Sequence, residues 1–186
     1  MHDAVTWLAG SLFALVVCVG SAETVAGQSK EPVTSDNVVG VILRDVHPLH
    51  GGQNLYLSRD GSGYCQVVSR HPDSRTFFER RYKAALPADR MRALVRLLVD
   101  ASPDTIPSSI KPGLPDSARP TIIVRLSSER VLRISRWERD RHPDFYAIYQ
   151  TLLSEAKSAA TGAQDLVGPY DPRCVPEGFA WYEAGR

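Results

Sequence analysis

The chain lacks every short motif that would name a chemistry. It has no Walker phosphate loop, no dinucleotide fingerprint, no H-E-x-x-H pair and no EF-hand loop, so the commonest nucleotide, zinc-protease and calcium sites are excluded. Cysteine is scarce. Cys18, Cys65 and Cys174 are the 3 in 186 residues, with no C-x-x-C and no zinc-finger spacing. That excludes a disulfide-dense scaffold and a structural zinc domain. Charge of one sign is lacking as well. Lys and Arg number 22 against 21 Asp and Glu, a net of +1, without the basic excess of a dedicated nucleic-acid binder. No apolar run reaches the ~20 residues of a spanning helix, and no cofactor or metal is expected from these residues.

What is present is an ordinary globular composition, 43% hydrophobic, 23% charged and 8% aromatic. The apolar run Trp7–Val19 followed by Gly20-Ser21-Ala22 has the order of a secretory signal peptide. Residues 1–22 are therefore expected to direct export to the periplasm or beyond, or else to anchor the chain to a membrane through residues 7–19. Residues 23–36 are small and polar and read as a linker. In an oxidising compartment Cys65 and Cys174 would remain as a pair, which makes a disulfide between them the candidate bridge.

Residues 37–160 carry the periodic patterns of one domain. Val38–Leu43 is a strand-like apolar run. Leu55–Val68 alternates around Asp60-Gly61 as a hairpin, and Thr76–Leu86 alternates again. Met91, Leu94, Val95, Leu98 and Val99 make a helical stripe over Pro87–Ala101, and Phe145, Ile148, Tyr149, Leu152, Leu153 and Ala156 make another after Pro143. Between them lies a five-proline stretch, 103–120, and a second hairpin, Thr121–Ser127 with Arg130–Trp137. Runs of strands punctuated by single helices predict an α+β domain: an antiparallel sheet of about five strands with two helices packed on one face. Residues 161–186 read as an irregular tail wrapping that domain.

The hairpin LYLSRDGSGYCQVV, the helix PADRMRALVRLLVDA and the later strand pair resemble a family of uncharacterised secreted bacterial proteins grouped as a domain of unknown function. That family carries Cys-Pro ahead of its first strand, where this chain has His47-Pro48 and Gly51-Gly52. The resemblance implies the order hairpin, helix, hairpin, helix over about residues 38–156, and no catalytic residue.

Three polar constellations compete for a function. Asp45, His47 and His50 have the donors for a metal but lie in a Pro/Gly segment, and read as solvated loop histidines. Glu138, Asp140 and His142, at a strand-to-helix turn, are the residues of a hydrolase-like acid–base site. On the sheet, alternation turns Ile122, Val124, Leu126, Leu132 and Ile134 inward. It leaves Arg125, Arg133 and Trp137 outward, with Arg81 on the same outer surface. Arginines among aromatics on a flat face suit an anionic ligand. The expected function is therefore a non-catalytic binding or structural module whose partner is an anionic polymer or another envelope protein, and the acid–base enzyme is the alternative.

Overall fold

The computed structural model describes residues 31–70, 76–109, 117–137, 140, 142–173 and 175–182. They form strands β1 (Val38–His47), β2 (Gly51–Ser58), β3 (Ser62–Arg70) and β4 (Phe77–Ala85), then helix α1 (Ala88–Ala101). Strands β5 (Thr121–Leu126) and β6 (Val131–Ser135), helix α2 (Pro143–Ala159) and strand β7 (Gln164–Pro169) follow. The strands make one antiparallel sheet in the order β6-β5-β1-β2-β3-β4-β7.

The α+β class stands, with seven strands rather than about five. The strand without a sequence signal is β7, QDLVGP. It pairs only with β4 at the sheet edge, its side chains are largely exposed, and so no alternation marks it. The expected irregular tail after residue 160 thus contains a strand, and Ala180–Tyr182 add a single 3-10 turn.

Local chemistry accounts for the turns. Gly61 takes φ +84° between β2 and β3, where a side chain would be strained, and its N–H donates to the Ser58 carbonyl at 2.9 Å. Asp60 Oδ1 accepts from the Ser62 hydroxyl at 2.6 Å and the Ser62 N–H at 2.9 Å. Those two bonds hold the Asp60 carboxyl below its usual range. Strand β1 runs farther than its apolar core suggested, because His47 still pairs with Gly51. His47 is consequently buried, accepts the Leu49 N–H on Nδ1 at 3.0 Å and stacks on His50 at 4.8 Å. The reading of solvated loop histidines is corrected for His47. No group of acidic, His and Cys side chains among the described residues is placed to hold a metal.

Both helices cover one face of the sheet. Met91, Leu94, Val95 and Leu98 of α1 and Phe145, Ile148, Leu152 and Ala156 of α2 enter one core with Leu43, Leu55, Ile122 and Val124. Pro143 sits in the first turn of α2, where a missing N–H costs little. Arg90 of α1 reaches the buried Glu155 of α2, Nη2 to Oε1 2.6 Å, and ties the helices together.

The domain's borders differ from the 37–160 expected. Val33 is buried in the core, and Asn37 Nδ2 donates to the Pro32 carbonyl at 2.8 Å and to Glu31 Oε1 at 3.0 Å. Glu31 also accepts from Ser128, and its carbonyl accepts from Arg130. Residues 31–36 are therefore docked chain, not linker. The signal or anchor segment 1–22 and residues 23–30 lie outside the described residues. Among the described residues no helix is long and apolar enough to cross a membrane.

The bridge expected of Cys65 is not formed. Cys65 is a free, fully buried thiol on the helix side of β3, its Sγ donating to the Ala156 carbonyl at 3.2 Å. Burial pushes that thiol up to about 12. Cys174 lies outside the described residues. Its neighbour Val175 packs in the cluster on the opposite side of the sheet.

Candidate functional site

The face of the sheet turned away from the helices is occupied by the C-terminal segment. Ile42, Tyr56 and Ile123 project from that face and, with Phe179 and Tyr182, form a second buried cluster against which Trp181 and Val175 pack. Tyr56 meets Phe179 edge-on at 5.6 Å and Tyr182 at 6.4 Å. Its burial drives the phenol pKa well up. Ile123, outward by alternation, is fully buried for this reason.

The tail can lie this close because of Gly40. A Cβ there would stand 2.8 Å from Trp181 Cζ2, inside any ordinary contact. Gly40 pairs with Arg125 across β5, and the Arg125 guanidinium stacks on the Trp181 ring at 5.5 Å. Arg133 Nη2 donates to the Tyr182 carbonyl at 2.6 Å. Both arginines of the expected binding face therefore hold the tail.

Arg81 is engaged differently. It lies in a polar rung that register builds across the sheet: Arg44 opposite Asn54, Asn54 opposite Gln66, Gln66 opposite Arg81. Asn54 Nδ2 donates to Gln66 Oε1 at 2.7 Å, Gln66 Nε2 to Glu79 Oε2, and Arg81 Nη2 meets Glu79 Oε1 at 2.7 Å. Asn54, Gln66 and Glu79 are all buried. Each amide uses both ends in this chain, which is how a buried polar row is tolerated. Tyr170 closes it. Burial raises the Tyr170 phenol pKa, against hydrogen bonds to Arg44 and Asn54.

Trp137 is not on the outer face. Strand β6 ends at Ser135, so the alternation that assigned Trp137 its side stops before reaching it. Instead Trp137 lines a cavity of about 130 Å³ with Asp45, Ala118, Pro120, Asp140, Phe145, Tyr146 and Tyr149. Tyr149 donates its hydroxyl to Asp45 Oδ2 at 2.8 Å, and Arg119 lies over the Trp137 ring at 5.1 Å.

That cavity joins Ala118 and Pro120 of the 103–120 stretch to Asp140, one of the three residues of the acid–base reading. The Asp140 carboxylate, however, is built into a latch. Oδ2 accepts from Ser109 Oγ at 2.5 Å, and Oδ1 accepts from Arg136 Nη2 at 2.7 Å. Ser109 Oγ also accepts the Trp137 N–H at 3.1 Å, and its N–H donates to the Ser135 carbonyl at 2.9 Å. These bonds pin the proline-rich stretch to the end of β6. His142 occupies the N-cap position of α2 without a side-chain capping bond, its Nδ1 3.9 Å from Asp144 Oδ2. Glu138 lies outside the described residues.

Three residues with a claim on the outer face escaped the sequence reading. Arg44 extends the outward series Gly40, Ile42 on β1, and Thr121 is its register partner on β5. Arg119 precedes Thr121 in the proline-rich stretch. With Val46 and Arg133 they line an opening of about 170 Å³. The outward period of β1 carried a signal for Arg44, but nothing in the sequence paired it with Arg119.

Compared with family models, with curated proteins and with solved structures, the chain gives no significant match.

Proposed function

We propose that the protein is an exported, non-catalytic binding module that holds an anionic polymer on the basic and aromatic outer face of its sheet. One observation carries this reading. Arg44, Arg119 and Arg133 gather at one end of that face, and among the described residues Arg44 and Arg119 have no carboxylate within salt-bridge distance. Arg44 lies over the Tyr182 ring at 5.2 Å, Arg119 over Trp137 at 5.1 Å, and Arg133 donates to a main-chain carbonyl. Rings and carbonyls orient a guanidinium without cancelling its charge. Arg125, on the Trp181 ring, extends the basic strip along β5.

Binding of dextran sulfate and of poly-glutamate to the full chain tests the proposal. Affinity is expected to fall steeply with salt, since exposed charges are screened within ~8 Å at physiological ionic strength. Arg119→Ala, which removes an exposed side chain, is expected to weaken both polymers without lowering the melting temperature. Salt-independent binding, or no binding of either polymer at low salt, would overturn the reading.

The acid–base alternative keeps one supporting observation, the cavity that brings Asp140 beside Trp137 and Pro120. Against it stands the latch, which commits both carboxylate oxygens of Asp140 to Ser109 and Arg136. Hydrolysis of a model ester or glycoside that disappears in His142→Ala would favour the enzyme.

A further inference from the structure

The cavity between the turn after β6 and the start of α2 has a chemistry that neither the anion-binding nor the acid–base reading uses. Four aromatic side chains line it, Trp137, Phe145, Tyr146 and Tyr149. The last three lie in the first turns of α2 at positions i, i+1 and i+4, so one helix supplies them as neighbours. Phe145 is buried and Tyr146 is 39% exposed, and the aromatic wall therefore runs from the core to the surface. The rings of Phe145 and Tyr149 are nearly parallel, 6.3 Å apart, whereas the Tyr146 ring is turned 45° from Tyr149. With Trp137 arriving from the turn, the rings meet the space from different directions and do not form a flat platform.

Ring faces carry partial negative charge, and the surroundings deepen it here. Asp45 continues the helix-side series of β1. Leu43 enters the core, and two residues on the same face carries a carboxylate where the period calls for an apolar side chain. Tyr149 donates its hydroxyl to that carboxylate at 2.8 Å. A phenol that donates to a carboxylate is polarised toward its ring, and the ring face then attracts positive charge more strongly. Trp137 displays the same preference. Arg119, from the wall of the neighbouring opening, holds its guanidinium 5.1 Å from the Trp137 ring centre.

Size and hydrogen bonding narrow the cation. The cavity's volume of about 130 Å³ is close to the ~150 Å³ that holds one benzene, so it takes one compact group. An ammonium with N–H bonds needs an acceptor for each when it leaves water, and the two Asp140 oxygens already accept from Ser109 and Arg136. A quaternary ammonium has no N–H to satisfy. Its charge is spread over methyl groups, which pack on rings and are attracted to their faces. We propose that this cavity binds a quaternary ammonium group, free or carried as a lipid head group, against the rings of Trp137, Tyr146 and Tyr149. The site stands apart from the outer sheet face and does not rest on the anionic-polymer reading.

Titration calorimetry of the full chain with tetramethylammonium and choline chlorides tests the cavity, against dimethylbutanol, the uncharged isostere of choline in which carbon replaces nitrogen. Both cations are expected to bind saturably, with choline at least about fivefold tighter than the isostere, the scale of two ring contacts. Tyr146→Leu keeps apolar bulk at an exposed position and removes one ring. It should weaken choline at least about threefold, leaving dimethylbutanol binding and the melting temperature unchanged. Tyr149→Phe, which removes the bond to Asp45, should weaken choline and not dimethylbutanol. No binding of either cation, dimethylbutanol binding as tightly as choline, or unchanged choline affinity in Tyr146→Leu would overturn the proposal. Arg119→Ala separates this site from the anionic face, because it should weaken the polymers and leave choline bound at least as tightly. Choline binding by a chain that binds neither polymer would refute the outer-face reading and leave the cavity standing. Vesicles of phosphatidylcholine that capture the chain and release it to free choline would identify a lipid-borne group. Choline binding without vesicle capture would identify a free one.

Discussion

Gly40→Ala offers a prediction in which two opposing effects can be weighed. In the interior of a strand, alanine in place of glycine ordinarily gains roughly 0.5–1 kcal/mol, because glycine loses more backbone freedom on folding. Gly40 has no positive φ to protect, so that gain is available. The new Cβ, however, would lie 2.8 Å from Trp181 Cζ2. Carbon atoms in good contact sit at ~3.5–4.0 Å, so the ring must retreat by ~0.7–1.2 Å, which forfeits about a quarter to a half of its dispersion contact. For a half-buried Trp covering ~100 Å² at ~25 cal/mol per Å², that is ~0.6–1.3 kcal/mol. Displacing the ring also loosens its stacking with Arg125, worth ~0.5–1 kcal/mol at such a site. The loss therefore outweighs the gain, and Gly40→Ala should destabilise by about 0.5–1 kcal/mol. In a Trp181→Ala background the obstruction is gone and the same change should stabilise by roughly 0.5 kcal/mol. Urea unfolding of the four proteins reads the coupling as ~1–1.5 kcal/mol, well above the ~0.5 kcal/mol of independent sites. An equal effect of Gly40→Ala in both backgrounds would refute the docking of the tail on β1.

Further outcomes follow from the core and the thiol. Leu98→Ala and Leu152→Ala, both fully buried between helices and sheet, should each cost ~2–5 kcal/mol, whereas the exposed Arg92→Ala should stay within ~0.5 kcal/mol; denaturant midpoints compare them directly. Cys65, held near 12 by burial, should resist iodoacetamide at pH 8 until the chain is unfolded, because only the thiolate reacts. The folded pKa lies above the unfolded 9.0, so this thiol's contribution is complete below pH 9 and is lost as pH rises toward 12. Relative to Cys65→Ala, stability should fall by up to ~1.4 kcal/mol per pH unit in that window, checked by urea midpoints at pH 9 and 10.5. For export, intact-mass measurement of protein recovered outside the cytosol should show loss of about 22 to 26 N-terminal residues, and recovery of only the full-length chain would remove the compartment argument.

Much of the architecture was legible in the residues because period and burial coincide along a strand or helix. The stripes Met91-Leu94-Val95-Leu98 and Ile148-Leu152-Ala156 face the core as their spacing demands, and Ile122, Val124, Leu132 and Ile134 face it from the sheet. Asp60-Gly61 marks its hairpin through the φ that glycine alone tolerates cheaply. Strand β7 left no such mark. An exposed edge strand is held by main-chain bonds to β4, and those bonds do not depend on which side chains it carries.

The surface that bears the proposed function was decided only by the tertiary structure. Alternation correctly turned Arg125 and Arg133 outward, but outward from the helices did not mean open to water, because the aromatic tail had no period by which to show where it would lie. Trp137 went astray for a related reason: a strand that stops at Ser135 ends the two-residue period, and the turn beyond carries the ring to the helix side. Arg44, Arg119 and Arg133 are 14 to 89 residues apart in the chain, and register across β1, β5 and β6 makes them neighbours. Period is a property of one segment and can be read along it. Convergence depends on which segments pair and what covers them, and that is settled by the packing of the whole chain.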